Sequence, residues 1–210
     1  MPSAPEGRLL PVTPEPEERF FHGYRPHRGD LVVEVGAGAG GETDALSDLV
    51  GPDGLVVAVE GHPESYLKLA SRDLPENVRL VNAVALDYSG HAWMTDTGEL
   101  LREHVVERSN GVGTVRARAL RLDVICRELE HIDFVKVDVE GSEHKALDGF
   151  SDALDRTDNL VVSCHDFMGL PTRADVTALL ENAGFRVESH PNPIDSCHAD
   201  YVYARRRRRR

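Results

Sequence analysis

Short apolar runs alternate with helix-like patterns along most of this chain. LVVEVG, LVVAVE and VRLVNAVAL begin at residues 31, 55 and 78, and FVKVDVE and NLVVSCHD begin at residues 134 and 159. Helical patterns follow the first two runs, and another covers residues 172–184. Apolar runs separated by helices are typical of a parallel sheet with crossover helices. The pattern therefore predicts an α/β fold with one doubly wound, mostly parallel sheet.

The rest of the pattern suggests how the chain is divided. Residues 1–18 are rich in Pro and Glu, which predicts a flexible N-terminal arm. Residues 19–204 are expected to form one domain, and residues 205–210, all arginine, a basic C-terminal tail. Residues 91–123 are less regular, with two extended pieces around a polar loop. In a doubly wound sheet, ligands bind at the carboxyl ends of the strands near the switch point, so we look for a site there.

Composition and charge narrow the classes of function. With 40% hydrophobic residues in 210, the chain has enough apolar material for one core. The net charge is -12, and the terminal arginines offset a body of 204 residues that carries -18. Such a surface repels phosphate backbones, which argues against nucleic acid as a partner. Cys126, Cys164 and Cys197 lack CxxC pairing, and no apolar run reaches the length of a membrane span, so we expect a cytoplasmic protein without a membrane partner.

The segment EVGAGAGGET fits two glycine-rich patterns. Gly36, Gly38 and Gly41 match the dinucleotide GxGxxG motif, whereas Glu34, Gly36, Gly38 and Gly40 match the acidic-xGxGxG loop of S-adenosylmethionine enzymes. A carboxylate inside the first strand suits a cationic amino-acid moiety better than a pyrophosphate, which favours the second pattern. Glu60 ends the second strand, where an acid can bind ribose hydroxyls.

The fourth apolar run ends in a group of carboxylates. Alternation along a strand places Lys136, Asp138 and Glu140 on one face, with both acids at the carboxyl end. Lys136 lies deeper, and because a buried lysine needs a partner, we predict an ion pair between Lys136 and Glu34. Glu143 falls in the first turn of the next helix, where the helix dipole favours an acid.

His165 and Asp166 end the fifth run and are expected to converge on the same cleft. Two kinds of chemistry remain open. Asp138, Glu140, His165 and Asp166 could hold a divalent metal such as Mg²⁺ or Mn²⁺, although this is the less favoured alternative. Asp138 or His165 could instead act without metal as a general base toward an acceptor hydroxyl.

The segment FVKVDVEGSEHKALDGF, supported by RGDLVVEVGAGAGGET and VVAVEGHPESYLKL, resembles the FkbM family of S-adenosylmethionine-dependent methyltransferases over about residues 28–187. The resemblance implies a class I methyltransferase fold with a terminal antiparallel strand. It implies S-adenosylmethionine as cofactor and a hydroxyl of a sugar, polyketide-like compound or other small molecule as acceptor.

Carried over by position, the resemblance assigns roles to individual residues. Glu34, Gly36, Gly38 and Gly40 would line the amino-acid end of the cofactor, Glu60 the ribose and Asp87 the adenine. Asp138 and Glu140 would face the acceptor, and Asp138 and His165 are the candidate bases. Three other functions stay open: an RNA or protein methyltransferase, a nicotinamide-dependent oxidoreductase, which Glu34 argues against, and a binding module without catalysis.

Overall fold

A computed structural model of the chain describes residues 19–98, 103–109, 111–165, 172–190 and 200–207. The predicted arm, residues 1–18, lies outside the described residues. The strands are β1 Leu31–Val35, β2 Leu55–Glu60, β3 Val78–Asn82, β4 Val84–Ala85, β5 Gly90–Thr95, β6 Val105–Val106, β7 Thr114–Leu120, β8 Ile132–Val137, β9 Thr157–Cys164, β10 Phe185–His190 and β11 Asp200–Arg206. The helices are α1 Gly41–Val50, α2 Pro63–Ala70, α3 Leu122–Ile125, α4 Glu143–Asp148, α5 Ser151–Leu154 and α6 Thr172–Asn182.

The main sheet has seven strands in the order β10-β11-β9-β8-β1-β2-β3. Strands β3, β2, β1, β8 and β9 pair in parallel, and β11 pairs antiparallel with both β9 and β10. The doubly wound α/β fold with a terminal antiparallel strand is therefore confirmed. Because β1 lies between β8 and β2, the carboxyl ends of these three strands meet at the switch point of the sheet.

Both faces of the main sheet are covered by apolar side chains. Alternate residues of β1 belong to separate clusters: Val33 and Val35 pack with Phe150 on one side, and Val32 packs with Phe21 and Leu46 on the other. A sheet buried on both faces needs the continuous Val-rich runs seen in the sequence. The sheet is thus a rigid base for the loops at its edge.

The less regular middle of the chain forms a second sheet, with the order β4-β7-β5-β6. The run VRLVNAVAL, expected as one strand, divides between the two sheets because β3 ends at Asn82 and β4 pairs with β7. The second extended piece predicted within residues 91–123 ends at Leu120, and residues 122–125 form α3. In the described residues, no helix is long and apolar enough to cross a membrane.

The last strand, β11, continues to Arg206, past residue 205, where the basic tail was predicted to begin. Arg205 pairs with Asn159 of β9, and the guanidinium of Arg206 donates to the carbonyl of Thr157 at 2.7 Å. That guanidinium also lies 4.2 Å from the ring centroid of Phe185. These two arginines complete the sheet, since backbone pairing and a cation–π contact hold them in place.

Candidate active site

A cavity of about 490 Å³ opens at the carboxyl ends of β1, β2 and β8. The glycine loop after β1, Glu60 at the end of β2, and Asp138 and Glu140 after β8 form its floor and one wall. Val84, Met94 and Val105 of the second sheet form the opposite wall. The cavity therefore lies where a doubly wound sheet is expected to bind its ligand.

The glycine loop turns sharply at Gly36, which has a φ of 84°. A Cβ at Gly36 would overlap the carbonyl oxygen of Asp138, so only glycine fits between β1 and the segment after β8. Gly38 also has a left-handed φ, of 56°, but a Cβ there would meet no atom within 4 Å. Gly38 leaves room on the ligand side of the loop.

Glu60 is held by the backbone on both of its oxygens. Oε2 accepts from the amide of Gly38 at 2.7 Å, and Oε1 accepts from the amide of His62 at 2.6 Å. Burial raises the pKa of Glu60, although these two hydrogen bonds oppose it. A carboxylate oxygen can accept more than one hydrogen bond, so each oxygen can still bind a hydroxyl group from the cavity.

The predicted ion pair between Lys136 and Glu34 is confirmed. The two residues are directly opposite in the β1–β8 pairing, and Nζ lies 3.5 Å from Glu34 Oε1. Nζ also lies 3.4 Å from the carbonyl oxygen of Gly36, and Glu34 Oε2 accepts from the hydroxyl of Thr43 at 2.6 Å. Burial lowers the pKa of Lys136, but Glu34 and the neighbouring carboxylates outweigh it and raise the pKa, so Lys136 is an ammonium. Burial raises the pKa of Glu34.

Glu34, Gly40 and Asp87 take positions other than the cavity wall. Glu34 is fully buried beneath the glycine loop, and Gly40, with a φ of 91°, begins α1. Asp87 is exposed, and its carbonyl accepts from Arg121 at 2.9 Å. Asp87 lies outside the cavity wall, because the chain leaves the main sheet after Asn82 and carries Asp87 beyond β4.

Asp138, Glu140 and His165 converge as predicted. The strand ends at Val137, earlier than expected, and the chain then turns through Glu140 with a φ of 49°. His165 Nε2 lies 3.6 Å from Asp138 Oδ1 and 3.5 Å from Glu140 Oε2. Asp166 lies outside the described residues.

Glu143 joins this cluster from the first turn of α4. The side chain is fully buried, and its Oε1 lies 2.6 Å from His165 Nδ1 and accepts from the amide of Gly141 at 2.9 Å. The sequence analysis placed Glu143 correctly in the helix but missed this contact. The one available signal was that Glu143 follows Asp138 by five residues, across a turn.

The ionisation of His165 follows from this contact. Burial lowers the pKa of His165, but the hydrogen bond and charge of Glu143, with Asp138 and Glu140, outweigh burial and raise the pKa to about 9. His165 is therefore an imidazolium at neutral pH, with one N–H directed at Glu143 and the other at the two carboxylates of the cavity wall.

The same cluster has the donor set of a metal site. Asp138, Glu140 and His165 each offer a ligand atom within 4.8 Å of the others. The contact between Glu143 and His165 Nδ1 also matches metal-bound histidines, which commonly donate the second ring N–H to a carboxylate. A metal bound there would require His165 to lose its proton, so metal binding would release a proton.

Comparison with known families gives one match over most of the chain. The family model described as the methyltransferase FkbM domain matches residues 34–187. Comparison with curated protein sequences gave no match.

Solved structures share the fold at low sequence identity. A methyltransferase FkbM from Methylobacillus flagellatus KT has a TM-score of 0.60 and 15% identity, over 85% of this chain and 44% of that one. Aeropyrum pernix fibrillarin with bound S-adenosyl-L-methionine has a TM-score of 0.53 and 16% identity, over 86% and 69% of the two chains. A Thermotoga maritima S-adenosylmethionine-dependent O-methyltransferase has a TM-score of 0.52 and 17% identity, over 88% and 62%. The chain thus spans less than half the length of the first of these proteins.

Proposed function

Because this chain belongs to the FkbM methyltransferase family, we propose that it transfers a methyl group from S-adenosylmethionine to a hydroxyl group of a small molecule. The observation that supports this function best is the position of Asp138 and Glu140, which line the same cavity as the glycine loop and Glu60. A base within the cofactor cavity is what methyl transfer to a hydroxyl requires.

The residues of the cavity fit the parts of the cofactor. Glu60 has an oxygen available for each of two ribose hydroxyls, and the open side of Gly38 leaves space for the amino-acid end. Glu34 acts indirectly, since its pair with Lys136 holds the Gly36 carbonyl and thereby the loop. S-adenosylmethionine supplies an activated methyl group on a sulfonium.

Asp138 is the proposed proton acceptor. The Asp138 carboxylate, which lines the cavity, would take the hydroxyl proton of the acceptor as the methyl group is transferred to the acceptor oxygen. His165 is already protonated, so it cannot take this proton; its imidazolium instead fixes the directions of Asp138 and Glu140. Glu143 orients His165 through Nδ1. Positioning of this kind is the main task left to the protein when the methyl group is already activated.

We propose that this reaction needs no metal. The test is turnover after chelation with EDTA and again after addition of Mg²⁺ or Mn²⁺. Turnover that is lost with EDTA and restored by either ion would overturn the metal-free mechanism and assign Asp138, Glu140 and His165 as ligands.

A small-molecule acceptor is favoured over RNA because two of the terminal arginines are engaged within the fold. Arg205 and Arg206 belong to β11, and Arg206 contacts Thr157 and Phe185. We also propose a cytoplasmic location, in which the buried Cys126 remains a free thiol.

Calorimetry with S-adenosylhomocysteine and NAD tests the cofactor assignment. We expect binding of the former only, and binding of NAD alone would overturn the proposal. Asp138→Asn tests the base, with labelled S-adenosylmethionine and a panel of sugar and polyketide-like alcohols. We expect turnover to fall about 10²-fold or more, with cofactor binding retained.

Asp148→Asn is the matched control, because Asp148 is exposed on α4. It should leave turnover unchanged. If Asp138→Asn kept wild-type turnover and an unaltered pH profile, Asp138 would be structural.

A further inference from the structure

A second group of polar side chains lies in the cavity, apart from Asp138. His62 follows β2, so β1 separates it from β8, and Glu103 lies just before β6. Both side chains line the cavity and both are buried, at 3% and 6% exposed. A ring nitrogen of His62 and carboxylate oxygens of Glu103 and Asp96 lie within 4.8 Å of one another, with the exposed Asp96 Oδ1 3.7 Å from His62 Nε2. One small ligand can therefore reach both.

These groups have unused hydrogen-bonding capacity. Glu103 Oε1 accepts from the amide and hydroxyl of Thr97 and from the amide of Gly98, at 2.7, 3.0 and 3.1 Å. Within the described residues, Glu103 Oε2 and both ring nitrogens of His62 are buried without a hydrogen-bond partner. Burial raises the pKa of Glu103, but the hydrogen bonds it accepts outweigh burial and lower the pKa, so the carboxylate is ionised at neutral pH. A buried polar atom without a hydrogen bond costs free energy, which indicates that a ligand supplies the missing hydrogen bonds.

The position of His62 and Glu103 in the cavity indicates which part of the cofactor they would contact. If the reacting methyl lies at Asp138 and the ribose at Glu60, a cofactor extended along the strand ends places its base beyond β2. There Val84, Met94 and Val105 provide apolar walls for a flat ring. Adenine offers an amino donor beside a ring-nitrogen acceptor. A carboxylate matches the donor, and an imidazole N–H matches the acceptor.

We propose that Glu103 and His62 select the 6-aminopurine of the cofactor, with Glu103 Oε2 accepting from the amino group and His62 donating to a neighbouring ring nitrogen. This inference rests on the proposed function. It assigns base recognition to the second sheet and the segment after β2, in place of Asp87.

The test compares S-adenosylhomocysteine with S-inosylhomocysteine, in which an oxygen acceptor replaces the amino group. Calorimetry on the full wild-type chain should show at least about tenfold tighter binding of the adenosyl compound, because the inosyl oxygen would face Glu103 Oε2. Glu103→Gln should remove or reverse this preference. The donors from Thr97 and Gly98 hold the amide oxygen at the Oε1 position, which directs the amide nitrogen at the base.

Glu107→Gln is the matched control, since Glu107 is exposed on the same segment, and it should keep the wild-type ratio. His62→Phe should weaken adenosyl binding several-fold without lowering the melting temperature, because the ring loses no hydrogen bond within the described chain and only a 3.7 Å contact with the exposed Asp96.

The outcomes separate this inference from the proposed function. A wild-type protein that binds both compounds equally, or a Glu103→Gln variant that keeps the preference, overturns the inference but leaves the methyltransferase function in place. Binding of neither compound overturns the proposed function itself. Adenosyl binding that tightens with added Zn²⁺ or Mn²⁺ in the wild type but not in Glu103→Gln would assign the pair to a metal and overturn base recognition.

Discussion

Replacing Lys136 with Met removes one partner of a fully buried ion pair. Lys136 is 1% exposed and Glu34 is fully buried, so the change leaves a carboxylate in the core beside its remaining donor, Thr43. The Met side chain can keep the apolar contact with Phe20, whose ring centroid lies 4.8 Å from Lys136 Nζ. The loss of stability should therefore come mainly from the unpaired charge of Glu34.

The size of this loss in the free energy of unfolding follows from the response that costs least free energy, which is to protonate Glu34. With an ordinary pKa of 4.5 for a glutamate, holding Glu34 neutral costs about 1.36 kcal/mol per pH unit above that value. The cost is about 3.4 kcal/mol near pH 7 and about 1.4 kcal/mol near pH 5.5. In the variant, Glu34 has a folded pKa above its unfolded value, so folding takes up a proton and the variant recovers stability as the pH falls.

Urea unfolding followed by circular dichroism at the two pH values measures this difference. The double variant Glu34→Gln/Lys136→Met should recover most of the loss near pH 7, because it removes the unpaired charge. Lys68→Met is the control, since Lys68 pairs with Glu64 on the exposed face of α2, and it should leave the free energy of unfolding unchanged. A Lys136→Met loss below about 1 kcal/mol near pH 7, or a double variant no more stable than the single one, would refute the reasoning.

Two other features give measurable expectations. The pKa of His165 is raised from 6.5 to about 9, so its contribution to stability is complete below pH 6.5 and is lost as the pH rises through about 9. Thermal melts at a series of pH values should show this decline in the melting temperature of the wild type and a smaller decline in Glu143→Gln. Equal slopes against pH would contradict the conclusion that Glu143 raises the pKa of His165. Gly36→Ala should destabilise the fold by more than about 2 kcal/mol through overlap with Asp138, whereas Gly38→Ala should cost about 1 kcal/mol for its left-handed backbone alone. Chemical denaturation of both variants measures which one loses more free energy of unfolding. Equal losses would argue against the close approach between Gly36 and the carbonyl of Asp138.

Sequence reasoning succeeded where regular geometry determines the neighbours. In a parallel sheet, the element order and the alternation of side chains are enough to place Lys136 opposite Glu34. The meeting of Asp138, Glu140 and His165 follows from the same rule, because the carboxyl ends of adjacent parallel strands lie at one edge.

The same reasoning failed where the chain leaves regular structure. VRLVNAVAL has the pattern of one strand, and nothing in that pattern shows the change of sheet after Asn82 that carries Asp87 away from the cavity wall. The contact between Glu143 and His165 depends on the direction of α4, and Glu103 reaches the cavity through a sheet whose pairing is not encoded by local periodicity. These positions are set by tertiary packing.

The backbone of Glu140 has a consequence for how this protein can be stabilised. Glu140 is the one residue other than glycine with a left-handed φ among those that the structure describes, and glycine or asparagine would adopt that conformation more easily. Selection for thermal resistance alone should therefore favour loss of the carboxylate at position 140. Selection that also demands turnover should retain the Glu140 carboxylate. The residue found at position 140 after each kind of selection therefore distinguishes a group kept for chemistry from one kept for folding.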